Sequence, residues 1–110
     1  MVEKIYDKLV RDNVPNIINN QERQTCKYRV HKSEDEYFKY LVKKVVEEIH
    51  EFYEDPTNLS MADVVEVLLT IGHLKNLDYR HIEKARMKKL VENGGFTKKY
   101  ILESVKHHDK

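Results

Sequence analysis

The sequence predicts a mainly α-helical protein: an antiparallel helical bundle with a small β element, completed by oligomerisation. Three observations lead there. Apolar residues recur at three- and four-residue steps through the middle of the chain, the mark of amphipathic helices. Only three Gly and two Pro occur in 110 residues, too few turn formers for an all-β fold. One segment, 59–76, is apolar almost all round a helical wheel. A chain of this size lacks enough other helices to cover it, and exposed apolar patches mark interfaces. The length is that of a single domain, expected to span 1–110.

The elements follow in order. Asp12 or Asn13 is placed to cap a short helix through Val14-Pro15-Asn16-Ile17-Ile18, with Pro tolerated in the first turn. From Thr25 to His31, Cys26, Tyr28 and Val30 alternate with Lys27, Arg29 and His31, which reads as a strand. Ser33 and Glu36 have capping-box spacing before a helix that runs to about Glu54. Phe38, Leu41, Val42, Val45, Ile49 and Phe52 form its apolar face, and Asp55-Pro56 ends it. The next helix starts near Asn58 or Leu59 and reaches Asn76; Asp63, Glu66, Thr70 and His73 form its single polar line. Another begins after Asp78 as N-cap and ends near Glu92, where Asn93-Gly94-Gly95 supplies a left-handed stop. Tyr100 to Val105 is a candidate partner for the strand, or a last helix.

Composition narrows the function classes. Twenty Lys+Arg against 19 Asp+Glu leave a net charge of +1, without the basic footprint of a nucleic-acid binder. The single Cys26 excludes an intrachain disulfide framework and a zinc ribbon. No apolar run approaches the ~18 residues of a membrane span, and charge follows Met1 where a signal peptide would be apolar. A cytoplasmic protein is expected.

The chemistry lies in the acids. Glu47, Glu48 and Glu51 form Glu-Glu-x-x-Glu on the first long helix. Pairs one turn apart lie about 5–6 Å from each other at Cβ, so two can reach one ion; a solvated acidic face is the alternative. Asp63 and Glu66 sit on the only polar line of an otherwise apolar helix, and burying such charges without compensation is costly. Either a Lys or Arg from elsewhere or a hard divalent cation must supply the positive charge. Oxygen ligands from Glu48, Glu51, Asp63 and Glu66 suit Mg²⁺ or Mn²⁺. The short Asp55–Asn58 turn brings the two acidic sets face to face.

Other constellations fall away. Glu47-x-x-His50 is half of a di-iron motif with no second half, and the chain has no Gly-rich phosphate loop. Phosphate would have to be gripped by basic side chains. Lys8 and Arg11, and Arg86 and Lys89 one helical turn apart, are the candidates, with ordinary surface charge as the alternative.

Four segments then stand in a familiar order: Lys8-Leu9-Val10-Arg11-Asp12-Asn13-Val14-Pro15, Glu47-Glu48-x-x-Glu51, Ala62-Asp63-Val64-Val65-Glu66-Val67, and Arg86-x-x-Lys89-x-x-x-Asn93-Gly94-Gly95-Phe96. Together they resemble the all-α nucleoside triphosphate pyrophosphohydrolase superfamily, and within it the small phosphoribosyl-ATP pyrophosphohydrolase-like, MazG-like proteins. The likeness covers about residues 4 to 102. It implies Mg²⁺ held by Glu48 and Glu51 with a further ligand at Asp63, and Glu47 orienting or deprotonating the attacking water. It implies a nucleotide substrate cleaved between its α- and β-phosphates. Two departures stand out. Ser60 occupies the Glu position of the family's Glu-x-x-Asp, leaving Glu66 as substitute or the site weakened, and Asn93 stands where the family often has Arg. A homodimer or higher homo-oligomer is expected. The alternative is a helical oligomer without activity, its acids paired with Lys and Arg.

Overall fold

The computed structural model describes residues 2–109, in which four α-helices follow one another: α1 (Val14–Asn19), α2 (Glu34–Glu54), α3 (Asn58–Leu74) and α4 (Tyr79–Asn93). The chain divides into two compact units, one ending at Asn76 and the other starting at Leu77. α1, α2 and α3 belong to the first unit and α4 to the second. No helix is long and apolar enough to cross a membrane among the described residues.

Capping explains where the long helices begin. Ser33 Oγ accepts a hydrogen bond from the Glu36 amide at 3.1 Å, satisfying one of the unpaired donors of the first turn. The reciprocal half of the expected box is redirected. The Glu36 carboxylate accepts instead from the Lys32 amide at 2.8 Å and from two nitrogens of Arg29 at 2.8 and 3.1 Å. One acid thus ties the irregular chain before α2 to the helix start. At α3 the box is complete and made of hydroxyls: Thr57 Oγ1 accepts from the Ser60 amide at 3.1 Å, and Ser60 Oγ accepts from the Thr57 amide at 3.0 Å. At α4, Asp78 caps the Arg80 amide at 2.8 Å, and Gly94 ends the helix at φ +83°, a backbone region that costs a side chain about 1–2 kcal/mol.

α2 and α3 pack against each other. Only residues 55–57 join them, so they run antiparallel. In keeping with that, Lys75 Nζ at the end of α3 lies 4.0 Å from the centre of the Phe38 ring near the start of α2. The core between them is small. Leu41 is 2 % exposed, and Val64 and Val67 are the other buried apolar residues. Glu48, two turns along from Leu41 on the same face of α2, is the one buried charged side chain among the described residues. α3 therefore departs from the expectation of a helix covered on most sides: Leu59, Met61, Val65, Leu68 and Leu69 stay exposed.

Neither expected strand is present among the described residues. The alternation from Thr25 to His31 does not mark a half-buried sheet, since Tyr28 and Val30 are both exposed. The segment's polar atoms go to side chains and turns instead. The Cys26 amide donates to Asn19 Oδ1 at 2.9 Å, and His31 stacks on Tyr37 at 5.0 Å. The segment 100–105 is irregular, with Tyr100, Ile101 and Leu102 exposed. A lone two-stranded pair would in any case be marginal in water.

Two measurements check this arrangement. Leu41→Ala is expected to lower the unfolding free energy by about 2–5 kcal/mol in urea titrations, while Lys39→Ala on the exposed face of α2 stays within about 0.5 kcal/mol; equal effects would contradict the core. Arg29, then the Lys32 amide, draws the Glu36 carboxyl down from 4.5 to about 2. The folded state therefore binds this proton more weakly than the unfolded chain. The stability Glu36 contributes is present above 4.5 and is lost as pH falls toward about 2. Glu36→Gln should flatten that part of the acid unfolding curve, and an unchanged curve would count against the Arg29–Glu36 tie.

Candidate carboxylate site on α2 and α3

The acids of α2 are arranged by helical spacing. Lys44 precedes Glu47 by three residues and Glu48 by four, so all three share one side of the helix. Lys44 Nζ lies 3.3 Å from Glu47 Oε1 and 3.3 Å from Glu48 Oε1. Burial pushes the Glu48 carboxyl above its ordinary range, the Glu51 carboxyl beside it pushes the same way, and Lys44 pulls it back only in part. Glu48 and Glu51 are one helical turn apart on α2.

A single stretch of chain reaches both helices. The Tyr40 hydroxyl on α2 donates to Asp7. The next residue, Lys8, places Nζ 3.4 Å from Glu47 Oε1. Three residues on, Arg11 places a guanidinium nitrogen 2.7 Å from Asp63 Oδ1 on α3. Lys8, Arg11, Glu47 and Asp63, singled out separately in the sequence, are thus brought together. Two contributors carry no motif signal and were not anticipated. Lys44 was detectable from its spacing to Glu47 and Glu48. The Tyr40–Asp7 bond was not, because the two residues lie 33 positions apart.

The remaining candidates are placed differently. Glu66 is exposed, and the hydroxyl of Thr70 donates to its backbone carbonyl at 2.9 Å; no ion pair among the described residues uses its carboxylate. The polar line of α3 is accordingly not buried as expected: Asp63 is half-buried, while Glu66 and His73 are exposed. Ser60 is committed to the N-terminal turn of α3, where its hydroxyl also donates to the Asp55 carbonyl at 2.7 Å. Arg86 and Lys89 belong to the second unit. Arg86 Nε donates to Glu83 one turn away on α4 at 3.0 Å, so its charge is answered within its own helix.

For a hard cation the donors fit in kind. Glu48 and Glu51 are neighbouring carboxylates, one of them buried, whose mutual repulsion a divalent ion relieves. In convergence they stop short. No three His, Cys, Asp or Glu side chains among the described residues close round a common point. The third arm, Asp63, is turned to Arg11.

Glu48→Gln tests the strain on the pair. With its folded pKa raised above 4.5, Glu48 holds its proton more tightly in the folded state. Stability tied to it is fully present below 4.5 and is lost as pH rises through the folded value. Without added metal, the Gln variant should gain on wild type in urea midpoint as pH rises above 4.5; a difference constant with pH would contradict the burial. Comparison of the chain with protein-family models, with curated proteins and with solved structures gave no match.

Proposed function

We propose that the chain is a Mg²⁺-dependent nucleotide pyrophosphohydrolase, cleaving a nucleotide between its α- and β-phosphates to a monophosphate and pyrophosphate; Mn²⁺ serves the same donors. One observation carries this reading. Lys8 and Arg11, three residues apart, rest on acids of two different helices, Glu47 of α2 and Asp63 of α3. Bases suited to a polyphosphate thus rest on acids of both helices, which supports the reading.

The roles are those the resemblance implies. Glu48 and Glu51 would hold the ion, with Asp63 as a third arm and Glu66, one turn on, as the substitute for the Glu that Ser60 replaces. When bound, the ion draws negative charge from the phosphate oxygens as it develops. Glu47 takes the proton of the attacking water as its oxygen forms the new P–O bond and the α–β bridge breaks. Lys44, 3.3 Å from Glu47, orients that carboxylate. Lys8 and Arg11 carry the charge of the departing pyrophosphate. Arg86 and Lys89 enter this proposal from the sequence alone.

A second copy belongs to the same proposal. Val42, Val46, Ile49 and Tyr53 recur on one face of α2, and Met61, Val65, Leu68 and Leu69 on α3, all exposed. Apolar stripes of this kind mark interfaces. A second reading, a charge-paired helical module without activity, is favoured by one observation: Arg11 on Asp63 and Lys44 on Glu47 and Glu48 already neutralise much of the site.

Pyrophosphate release from a panel of nucleotides with Mg²⁺ separates the two. The hydrolase reading expects release by wild type and a loss of roughly 10²-fold or more in Glu47→Gln, with Glu51→Ala equally impaired. No release from any nucleotide would favour the charge-paired module. For the oligomer, light scattering of wild type should give at least twice the 13.2 kDa chain mass, and Val46→Glu combined with Leu68→Glu should return it to one chain. A wild-type monomer at all concentrations would refute the interface.

A further inference from the structure

We propose that the second unit, Leu77–Lys110, carries a binding surface for single-stranded nucleic acid, with its basic side chains on the phosphates and Phe96 and Tyr100 stacking on bases. This surface is separate from the carboxylate site and stands whether or not that site is a hydrolase.

The near-neutrality of the whole chain hides a division of charge. Met1–Asn76 holds eleven Lys and Arg against fourteen Asp and Glu, whereas Leu77–Lys110 holds nine against five. The basic footprint absent from the chain as a whole is thus present in one of its units, and asymmetry of this kind points to an anionic partner. Three acids of the unit are already engaged within it: Asp78 beside His81, Glu83 with Arg86 and Glu92 with Lys88. Arg80, Lys84, Lys89, Lys98, Lys99 and Lys106 have no ion-pair partner among the described residues. Arg80, Lys84 and Lys88 follow at four-residue steps on α4, about 6 Å apart along its axis. Such a row meets a chain of phosphates rather than a lone one.

Bases distinguish a nucleic acid from other polyanions, and the unit offers partners for them. After Gly94 ends α4, Phe96 to Lys99 forms a turn in which the Lys99 amide donates to the Phe96 carbonyl at 3.3 Å, with Lys99 at φ +62°. That left-handed backbone is disfavoured for a residue with a side chain, and strain of this kind gathers at ligand-binding segments. Phe96 is 98 % exposed and Tyr100 82 %, and the two bracket Lys98 and Lys99. Neither ring stacks on another ring or lies under a cation among the described residues. An open hollow of about 340 Å³ lies among Gly95, Phe96, Lys98, Lys99, Tyr100 and Ile101, within the size range of small-molecule sites and roomy enough for one base with its sugar. Aromatic rings interleaved with cations are how sequence-tolerant proteins hold single strands. An anionic membrane would call for one continuous apolar face on α4; its apolar residues Ile82, Met87, Leu90 and Val91 are instead interrupted by Glu83 and Arg86.

The test is fluorescence anisotropy of a labelled oligouridylate of about 12 nucleotides titrated with the full chain, in EDTA so that no metal takes part. Saturable binding is expected at about 50 mM salt, weakening toward about 200 mM as phosphate contacts give up their counterion release. Phe96→Ala and Tyr100→Ala, truncations at exposed positions that remove no core, should each weaken binding roughly five- to 150-fold and leave its salt dependence unchanged. Lys98→Gln combined with Lys99→Gln should instead lower the slope of log affinity against log salt by about 1.4. Lys39→Gln combined with Lys43→Gln, on α2 in the first unit, should change neither. Absence of saturable binding at the lowest salt would overturn the proposal. So would inorganic polyphosphate binding as tightly as the oligouridylate with no effect of Phe96→Ala, or binding to phosphatidylserine vesicles in place of the strand. Self-association of the chain that Phe96→Ala abolishes, without strand binding, would overturn it in favour of a contact between copies. None of these outcomes decides pyrophosphate release, so this surface and the hydrolase reading fail separately.

Discussion

Negative charge gathered between two packed helices has to be neutralised, and the means of neutralising it organises the first unit of this protein. Glu47, Glu48 and Glu51 arise on α2 from helical spacing alone, and α3 returns antiparallel with Asp63. Two like charges about 4 Å apart repel by about 1 kcal/mol in water and by about 4 kcal/mol at the effective dielectric of a protein surface. Such repulsion is large beside a core that, among the described residues, buries Leu41, Val64 and Val67. Lys44 answers it from within α2, and Lys8 and Arg11 answer it from the irregular N-terminal segment. The segment's course along the helices is accordingly set by charge and by one tyrosine hydroxyl rather than by regular hydrogen bonding.

The same requirement links structure to chemistry. A site that holds a divalent ion and a polyphosphate needs acids and bases side by side, and each set must be tolerable without the other. Ion pairs between them meet that condition. An inactive module with permanent pairs and a hydrolase with exchangeable pairs share one set of contacts. They differ in whether the contacts yield to a doubly charged ion. Glu48 is the member with most to gain, being buried and pressed by Glu51.

Much of this was readable from residue order, because local rules govern it. Ser33, Asp78 and Gly94 mark helix ends in the structure as their types predict, since capping depends on a few neighbouring atoms. The Glu48–Glu51 pairing follows from one helical turn. What escaped depends on distant partners or on competition for one group. Glu36 had the spacing to complete a capping box, but Arg29 and the Lys32 amide claim its carboxylate. The alternation at 25–31 imitates a strand, yet no neighbouring edge pairs with it, and Tyr28 and Val30 face water. Ser60 was weighed as a lost ligand; its hydroxyl has a different task, closing the first turn of α3 with Thr57. Arg86 was read as a phosphate grip and is met by Glu83 one turn before it.

The most direct test of the account is a crystal structure of the full chain grown with Mn²⁺, with the ion located by anomalous scattering. The account predicts an ion bonded to oxygens of Glu48, Glu51 and Asp63. A structure without an ion at these carboxylates at millimolar Mn²⁺ would contradict it.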